Sequence, residues 1–140
     1  MAFWLFKSEP SAWSWDDQVA IGDVGEEWDG VRNYQARNFM RDMEIGDLGF
    51  FYHSQKEKSV VGIVEIIQKA HPDSTTDDDR WECVDIRAVK PVKTPVSLEM
   101  IKNKPELADM ALLRSSRLSV QPVRANEWDL VCKMAGITAG

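Results

Sequence analysis

W-D-G-V-R-N-Y-Q-A-R-N-F-M-R-D-M-E-I-G-D-L-G-F-F-Y-H-S, residues 28–54, joins a lone Trp, a Gly turn, a basic helix start and an apolar strand. Asn33 is a capping residue type, and Ala36, Phe39, Met40 and Met43 recur at i, i+3, i+4 and i+7. A helix from Asn33 to about Met43 would bury that face. Gly46-Asp47 reads as a turn, and Leu48 to Tyr52 as a continuous apolar strand that delivers Tyr52, His53 and Ser54 at its end. A core segment does not need so many planar donors (Arg32, Asn33, Gln35, Arg37) beside its aromatics. The stretch is therefore expected to line a pocket for a flat polar ligand, with the helix face taking the core role.

Upstream, Phe3 to Phe6 is a short aromatic strand stopped by Lys7-Ser8-Glu9-Pro10. Ser14 caps a short helix ending near Gly22, and Gly22, Gly25 and Gly30 surround an acidic loop carrying Trp28. Downstream, residues 54–59 form a charged hairpin loop. Val60 to Ile67 is a buried strand in which Gly62 is suited to a bulge or a close approach. His71 to Asp79 reads as a polar loop, and Trp81 to Val89 as a half-buried strand closed by Pro91 and Pro95. Ser97 caps a short helix, and Leu118 to Val123 is a last strand. Asn126 caps a final helix with the stripe Trp128, Val131, Cys132 and Ala135. About five strands without βαβ alternation imply an α+β fold built on a bent, mostly antiparallel sheet or barrel.

The 140 residues suit one domain, 1–140, of ordinary globular balance, with 44% apolar and 29% charged residues. A net charge of −6 argues against gripping a long phosphate track but leaves room for a local basic mouth. Charge is uneven: Glu9 to Asp29 holds seven carboxylates and no Lys or Arg, whereas Met110 to Asn126 holds Arg114, Arg117 and Arg124 and no carboxylate. Cys83 and Cys132, 49 residues apart, read as buried free thiols in a reducing compartment. With no zinc motif, signal peptide or long apolar run, the expectation is a cytoplasmic protein with no metal, cofactor or membrane partner.

Catalytic patterns are thin. His53 and Ser54 are adjacent on a strand end and point to opposite faces, so they cannot pair directly as base and nucleophile. No Gly-rich phosphate loop is present, and Asp77-Asp78-Asp79 reads as a solvated loop. Recognition remains. Lys7 and Ser8 leave one strand, and Tyr52 and Ser54 end another. Trp28, Arg32, Asn33 and Tyr34 surround a helix start, and residues 114–119 bring two Arg and three Ser. If these converge, stacking faces and amide or hydroxyl edges would suit an unstacked nucleobase. The plainer alternative is that Trp28 and Tyr52 are core and the arginines form surface ion pairs.

F-W-L-F-K-S-E-P (3–10), W-D-G-V-R-N-Y-Q-A-R-N-F (28–39), G-D-L-G-F-F-Y-H-S (46–54), V-G-I-V (61–64) and R-L-S-V-Q-P-V (117–123) resemble, in order and spacing, the thymocyte nuclear protein-like EVE domain family. That family belongs to the PUA-like superfamily and is related to YTH domains. The resemblance implies a bent, mostly antiparallel five- to six-stranded β-barrel with short helices around it. It also implies a non-catalytic reader of a modified base, chiefly modified cytosine in DNA or a modified base in RNA. The positions it marks as pocket are Lys7, Ser8, Trp28, Val31, Arg32, Asn33, Tyr52, His53, Ser54, Arg114, Leu118 and Ser119, with Arg37 and Arg117 on the rim. The sequence departs from the family pattern at His71 and at Thr76 to Asp79. The expected partner is nucleic acid carrying a modified base, with Trp28 stacking on it and Arg32, Arg114 or Arg117 steadying a phosphate. Two alternatives carry different expectations. A small enzyme or nucleotide-metabolite binder would use His53 and Lys7, and a protein-interaction module would use the acidic segment Glu26 to Asp29.

Overall fold

The computed structural model describes residues 1–55 and 57–137. Six strands, β1 (Phe3–Ser8), β2 (Glu26–Glu27), β3 (Leu48–His53), β4 (Ser59–Pro72), β5 (Glu82–Ser97) and β6 (Val120–Val123), form one sheet in the order β2-β5-β4-β3-β1-β6. The two aromatic strands β1 and β3 lie parallel, with Phe6 opposite Phe51 and Ser8 opposite His53. The other pairings are antiparallel. The sheet is mixed and does not close into the expected barrel: its outer strands, β2 and β6, do not pair with each other. β2 is only two residues long, because Gly25 (φ 76°) turns the chain immediately before it.

β3 reads as an unbroken apolar run because both of its faces are covered. Phe51 points into one core with Trp4, Phe6, Trp15, Trp28, Met40 and Ile86. Phe50 and Tyr52 point into the other, with Leu5, Ile63, Val96, Trp128 and Val131. α2 (Tyr34–Asp42) closes the first core. Its N-cap Asn33 accepts the Ala36 N–H at 2.9 Å, and Ala36, Met40 and Met43 are fully buried. α5 (Ala125–Met134) closes the second, stacking Trp128 on Phe3 (4.5 Å) and Phe50 (4.1 Å). Its N-cap is Arg124, two residues before the expected Asn126. α1 (Trp15–Ala20) starts at the expected Ser14 with a capping box, and α3 (Leu98–Lys102) is capped by Ser97. α4 (Ala111–Arg114) is a single turn. Among the described residues, no helix is long and apolar enough to cross a membrane.

Two expectations for the middle of the chain need correction. β4 continues past Ile67 to Pro72, taking His71 into the ladder opposite Cys83, and β5 runs through both prolines to Ser97. Pro91 is tolerated because the register slips there: it faces Gly62 across one of several irregularities that bend these long strands. Gly62 has the close approach anticipated for it, with the Trp15 ring lying where a Cβ would stand.

Candidate functional site

At the ends of β1 and β2 the chain surrounds a cleft of ≈ 470 Å³, within the size range of small-ligand sites. β1 contributes Lys7 and Ser8, the turn after it Glu9, Ala12 and Trp13, β2 and its loop Glu26 to Val31, and the approach to β6 Ser119. The walls are tied by backbone bonds. Lys7 N–H donates to the Ser119 carbonyl at 2.8 Å, and Ser54 N–H to the Ser8 carbonyl at 2.8 Å. The Ser8 hydroxyl donates to the Trp13 carbonyl. Pro10 forces a tight turn in which Ala12 and Trp13 both donate to the Glu9 carbonyl, bringing Trp13 back over the cleft. Its indole N–H is held by Gln18 Oε1 at 2.9 Å.

Trp28 has a double position. Its N–H donates to the Val84 carbonyl at 2.8 Å, and its ring meets Phe6 and Phe51 edge-on at 5.2 and 5.7 Å. Only 8% of it is exposed, so most of the ring is core and the remainder is cleft wall. Val31 is similarly buried against the same core.

The electrostatics are carboxylate-rich. Glu9, Glu26, Glu27 and Asp29 line the cleft, against one cation, Lys7, whose Nζ donates to the Ser116 carbonyl at 2.7 Å. Burial lowers the Lys7 pKa. Glu27 is held below the usual range, first by the Ser74 hydroxyl at 2.5 Å, and Ser74 N–H and Cys83 also donate to it. Asp29 is pushed up by burial and then by Asp73, Glu26 and Glu27. Among the described residues the side-chain carboxylates of Glu9 and Asp29 accept no hydrogen bond, which leaves them as acceptors for a ligand. Asp73 braces the wall from behind, accepting from Gly30 N–H (2.9 Å), Arg32 (3.1 Å) and Thr75.

Of the residues singled out in the sequence, Lys7, Ser8, Trp28, Val31 and Ser119 meet at this cleft. Asn33, Arg117 and Leu118 line a smaller neighbouring pocket. Tyr52 does not join them: it faces the opposite core, where burial pushes its hydroxyl up to about 12. His53 is buried, its Nε2 accepting the Trp15 N–H at 3.0 Å while Nδ1 meets Glu57 at 3.2 Å. That bond pattern places the imidazole proton on Nδ1 and makes the ring an anchor for α1. Ser54 is spent on the Ser8 carbonyl, and Arg114 pairs with Asp109 outside the cleft. Arg32 is ion-paired with Asp73 and lies 5.5 Å from the Trp81 ring. Arg37 sits 4.9 Å over Tyr34, itself stacked on Trp81. Trp13, Glu9, Glu26 and Glu27 are additions that sequence reading had not assigned to a pocket, and Asp29 and Gly30 lay in the 28–54 stretch without being singled out. The Pro10 turn was the available signal for Trp13.

Glu27, His71 and Cys83 bring ligand-type atoms within 4.8 Å of one another, a grouping that sequence spacing hid. Both His71 nitrogens are already engaged, Nδ1 with the Pro72 carbonyl and Nε2 with Asp85 at 2.7 Å, while Cys83 is turned to Glu27.

The family model "EVE domain" matches residues 2–134. Mouse thymocyte nuclear protein 1 is 35% identical over 164 aligned residues, covering 94% of this chain and 73% of that protein. A crystal structure of a protein from Agrobacterium tumefaciens is 56% identical, with a TM-score of 0.98 over 100% of this chain and 97% of the other. The human THYN1 protein, solved in complex with 5-methylcytosine-containing DNA, is 34% identical with a TM-score of 0.91, covering 96% and 98% of the two chains. The YTH domain of Zygosaccharomyces rouxii MRB1 shares the fold at 16% identity, with a TM-score of 0.59 over 98% of this chain and 88% of that one.

Proposed function

The chain belongs to the EVE domain family, and from that premise we propose that its cleft is a reader's pocket, holding one modified nucleobase outside its stack without reacting with it. The observation that carries the reading is the pairing, in one cleft, of two Trp edges with unengaged carboxylates. An aromatic side chain offers a flat ring a stacking surface, and a carboxylate accepts hydrogen bonds from an exocyclic amino group, as Asp and Glu do from the cytosine 4-amino group. Thymine and uracil lack that donor. Asp29 is the preferred contact. Its carboxylate accepts no hydrogen bond from the described residues, so both oxygens are available to an exocyclic amine. The human relative in complex with 5-methylcytosine-containing DNA supports modified cytosine as the first ligand to test. Carboxylates at the mouth disfavour a phosphate there, so plain duplex should bind weakly.

The test titrates oligonucleotides bearing 5-methylcytosine, cytosine, thymine or N6-methyladenine against the wild type, Asp29→Asn and Trp13→Leu. Trp28→Ala is a poor probe, because emptying so buried a site costs about 3–5 kcal/mol of stability. Trp13 is only half-buried and is the usable aromatic. We expect preference for an amino-bearing modified base, reduced in both variants. Equal affinity across the series, or variants that discriminate as the wild type does, rejects the proposal.

A further inference from the structure

We propose that the smaller pocket beside the cleft is a phosphate site, holding the phosphodiester of the nucleotide whose base occupies the cleft; the assignment rests on the base-reading proposal above. The pocket, ≈ 280 Å³, is lined by Asn33, Gln35, Ser115, Ser116, Arg117 and Leu118. No carboxylate lines it. The cleft carries four, and a third cavity has Glu57 and Glu99 beside Lys58 and Lys102. In a chain of net charge −6, a lining without carboxylates spares an anion the repulsion it meets in the cleft.

The donors are present and uncommitted. Arg32, Arg41, Arg80, Arg87 and Arg114 each pair with a carboxylate. Arg117, by contrast, has no hydrogen-bond or ion-pair partner among the described residues. Asn33 spends its oxygen on the Ala36 N–H, which leaves its NH₂ to donate. Gln35 and the two serine hydroxyls complete a lining that can donate throughout, the complement of an acceptor-only phosphodiester. The start of α2, with no acid in its first turn, adds positive partial charge. The far wall is held in shape from below. Fully buried Gln121 donates to the Ser115 and Leu118 carbonyls at 3.2 and 2.7 Å, and Leu118 N–H closes the turn onto Ser115.

Continuity with the cleft fixes which phosphate is meant. Val31 lines the cleft and Asn33 the pocket; Ser119 lines the cleft and Leu118 the pocket. Lys7 reaches across the seam to the Ser116 carbonyl. A nucleotide therefore meets carboxylates with its base and an unpaired guanidinium with its backbone, which orients it.

Fluorescence anisotropy of a short single-stranded oligonucleotide carrying 5-methylcytosine, measured from low to moderate salt, tests the site. Arg117→Gln is compared with Arg114→Gln, an exposed arginine outside the pocket. Removing one phosphate contact should lower the slope of log affinity against log salt by about 0.7 for a single strand. Arg117→Gln is expected to show that drop and keep the wild-type ratio of modified to plain affinity, with Arg114→Gln at wild-type slope. Equal slopes in the two variants overturn the phosphate site. Loss of base preference in the wild type overturns the base reading instead, which separates the two failures. No binding by the wild type to any oligonucleotide overturns both.

Discussion

Asp73→Asn is expected to cost about 2–3 kcal/mol at neutral pH and to remove this residue's share of the protein's acid sensitivity near pH 3. The Asp73 side chain is 1% exposed, yet its carboxylate accepts four hydrogen bonds: Gly30 N–H (2.9 Å), Arg32 (3.1 Å), Thr75 N–H (2.8 Å) and the Thr75 hydroxyl (2.5 Å). Burial alone would raise its pKa; the donors outweigh that and bring it from 3.8 down to about 2. At about 1.4 kcal/mol per pH unit, the gap is worth ~2 kcal/mol. Because the folded value is the depressed one, this stability is present in full above the unfolded value of 3.8 and is lost as pH falls toward 2. Asparagine keeps one acceptor and turns the other into a donor facing donors, so a buried N–H goes unpaired. Urea unfolding of both proteins at pH 7 and pH 3 reads the effect: the gap between them should be widest at pH 7 and narrow toward pH 3. A variant within about 0.5 kcal/mol of the wild type at pH 7, the scatter of ordinary surface changes, refutes the reasoning. So does a deficit equal at both pH values. The bond to Gly30 also ties this stability to the cleft wall, so base affinity should fall with it.

Two other perturbations test the frame around the site. Gly62→Ala places a methyl group against the Trp15 ring and should destabilise by about 1–3 kcal/mol in urea unfolding, less only if α1 shifts outward. For His71, burial opposes the charge, but the bonds to Asp85 and the Pro72 carbonyl outweigh it and raise the pKa above 6.5. The ion pair's contribution is therefore full below pH 6.5 and lost as pH rises through the raised value. The unfolding midpoint of His71→Gln should fall furthest below the wild type below pH 6.5 and approach it in alkaline solution; a pH-independent difference would contradict this.

The elements that carried their own local signals were legible in the sequence. Asn33 caps α2 and Ser14 caps α1 because side-chain oxygens three residues from an orphan N–H leave a pattern in the chain itself. Strand length did not leave one. β4 runs on to Pro72 because β5 lies opposite it, and no local feature of K-A-H-P announces that partner. Openness of the sheet was hidden for the same reason, since it depends on where the two-residue β2 falls. In the site, Lys7 and Ser8 were legible from their place at a strand end, Trp28 from its loop before a helix start and Ser119 from the Ser- and Arg-rich run 114–119. Tyr52 was misplaced although the rule to place it was at hand. Alternation on β3 puts Phe51 and His53 on one face and Phe50 and Tyr52 on the other, so a strand that feeds the first core through Phe51 cannot also offer Tyr52 there. The carboxylates of the cleft were read as an acidic loop because their convergence with Trp13 depends on the Pro10 turn and on β2 pairing with β5.

That convergence bears on how a chain of net charge −6 would carry the proposed reading of a base. Affinity drawn from many phosphates needs a basic track, and the cleft offers none: five of the arginines pair with carboxylates, and four carboxylates line the cleft. Affinity drawn from one nucleotide needs no track. It needs a place where the base's donors find acceptors and a separate place, a few residues away, where a single phosphate finds donors. Glu9 and Asp29 on one side of the Lys7 seam and Arg117 on the other divide the labour in that way. The acidity then works in favour of selectivity, since a strand that cannot present an amino-bearing base to the cleft has only repulsion to meet there, and binding should depend steeply on the base and shallowly on salt.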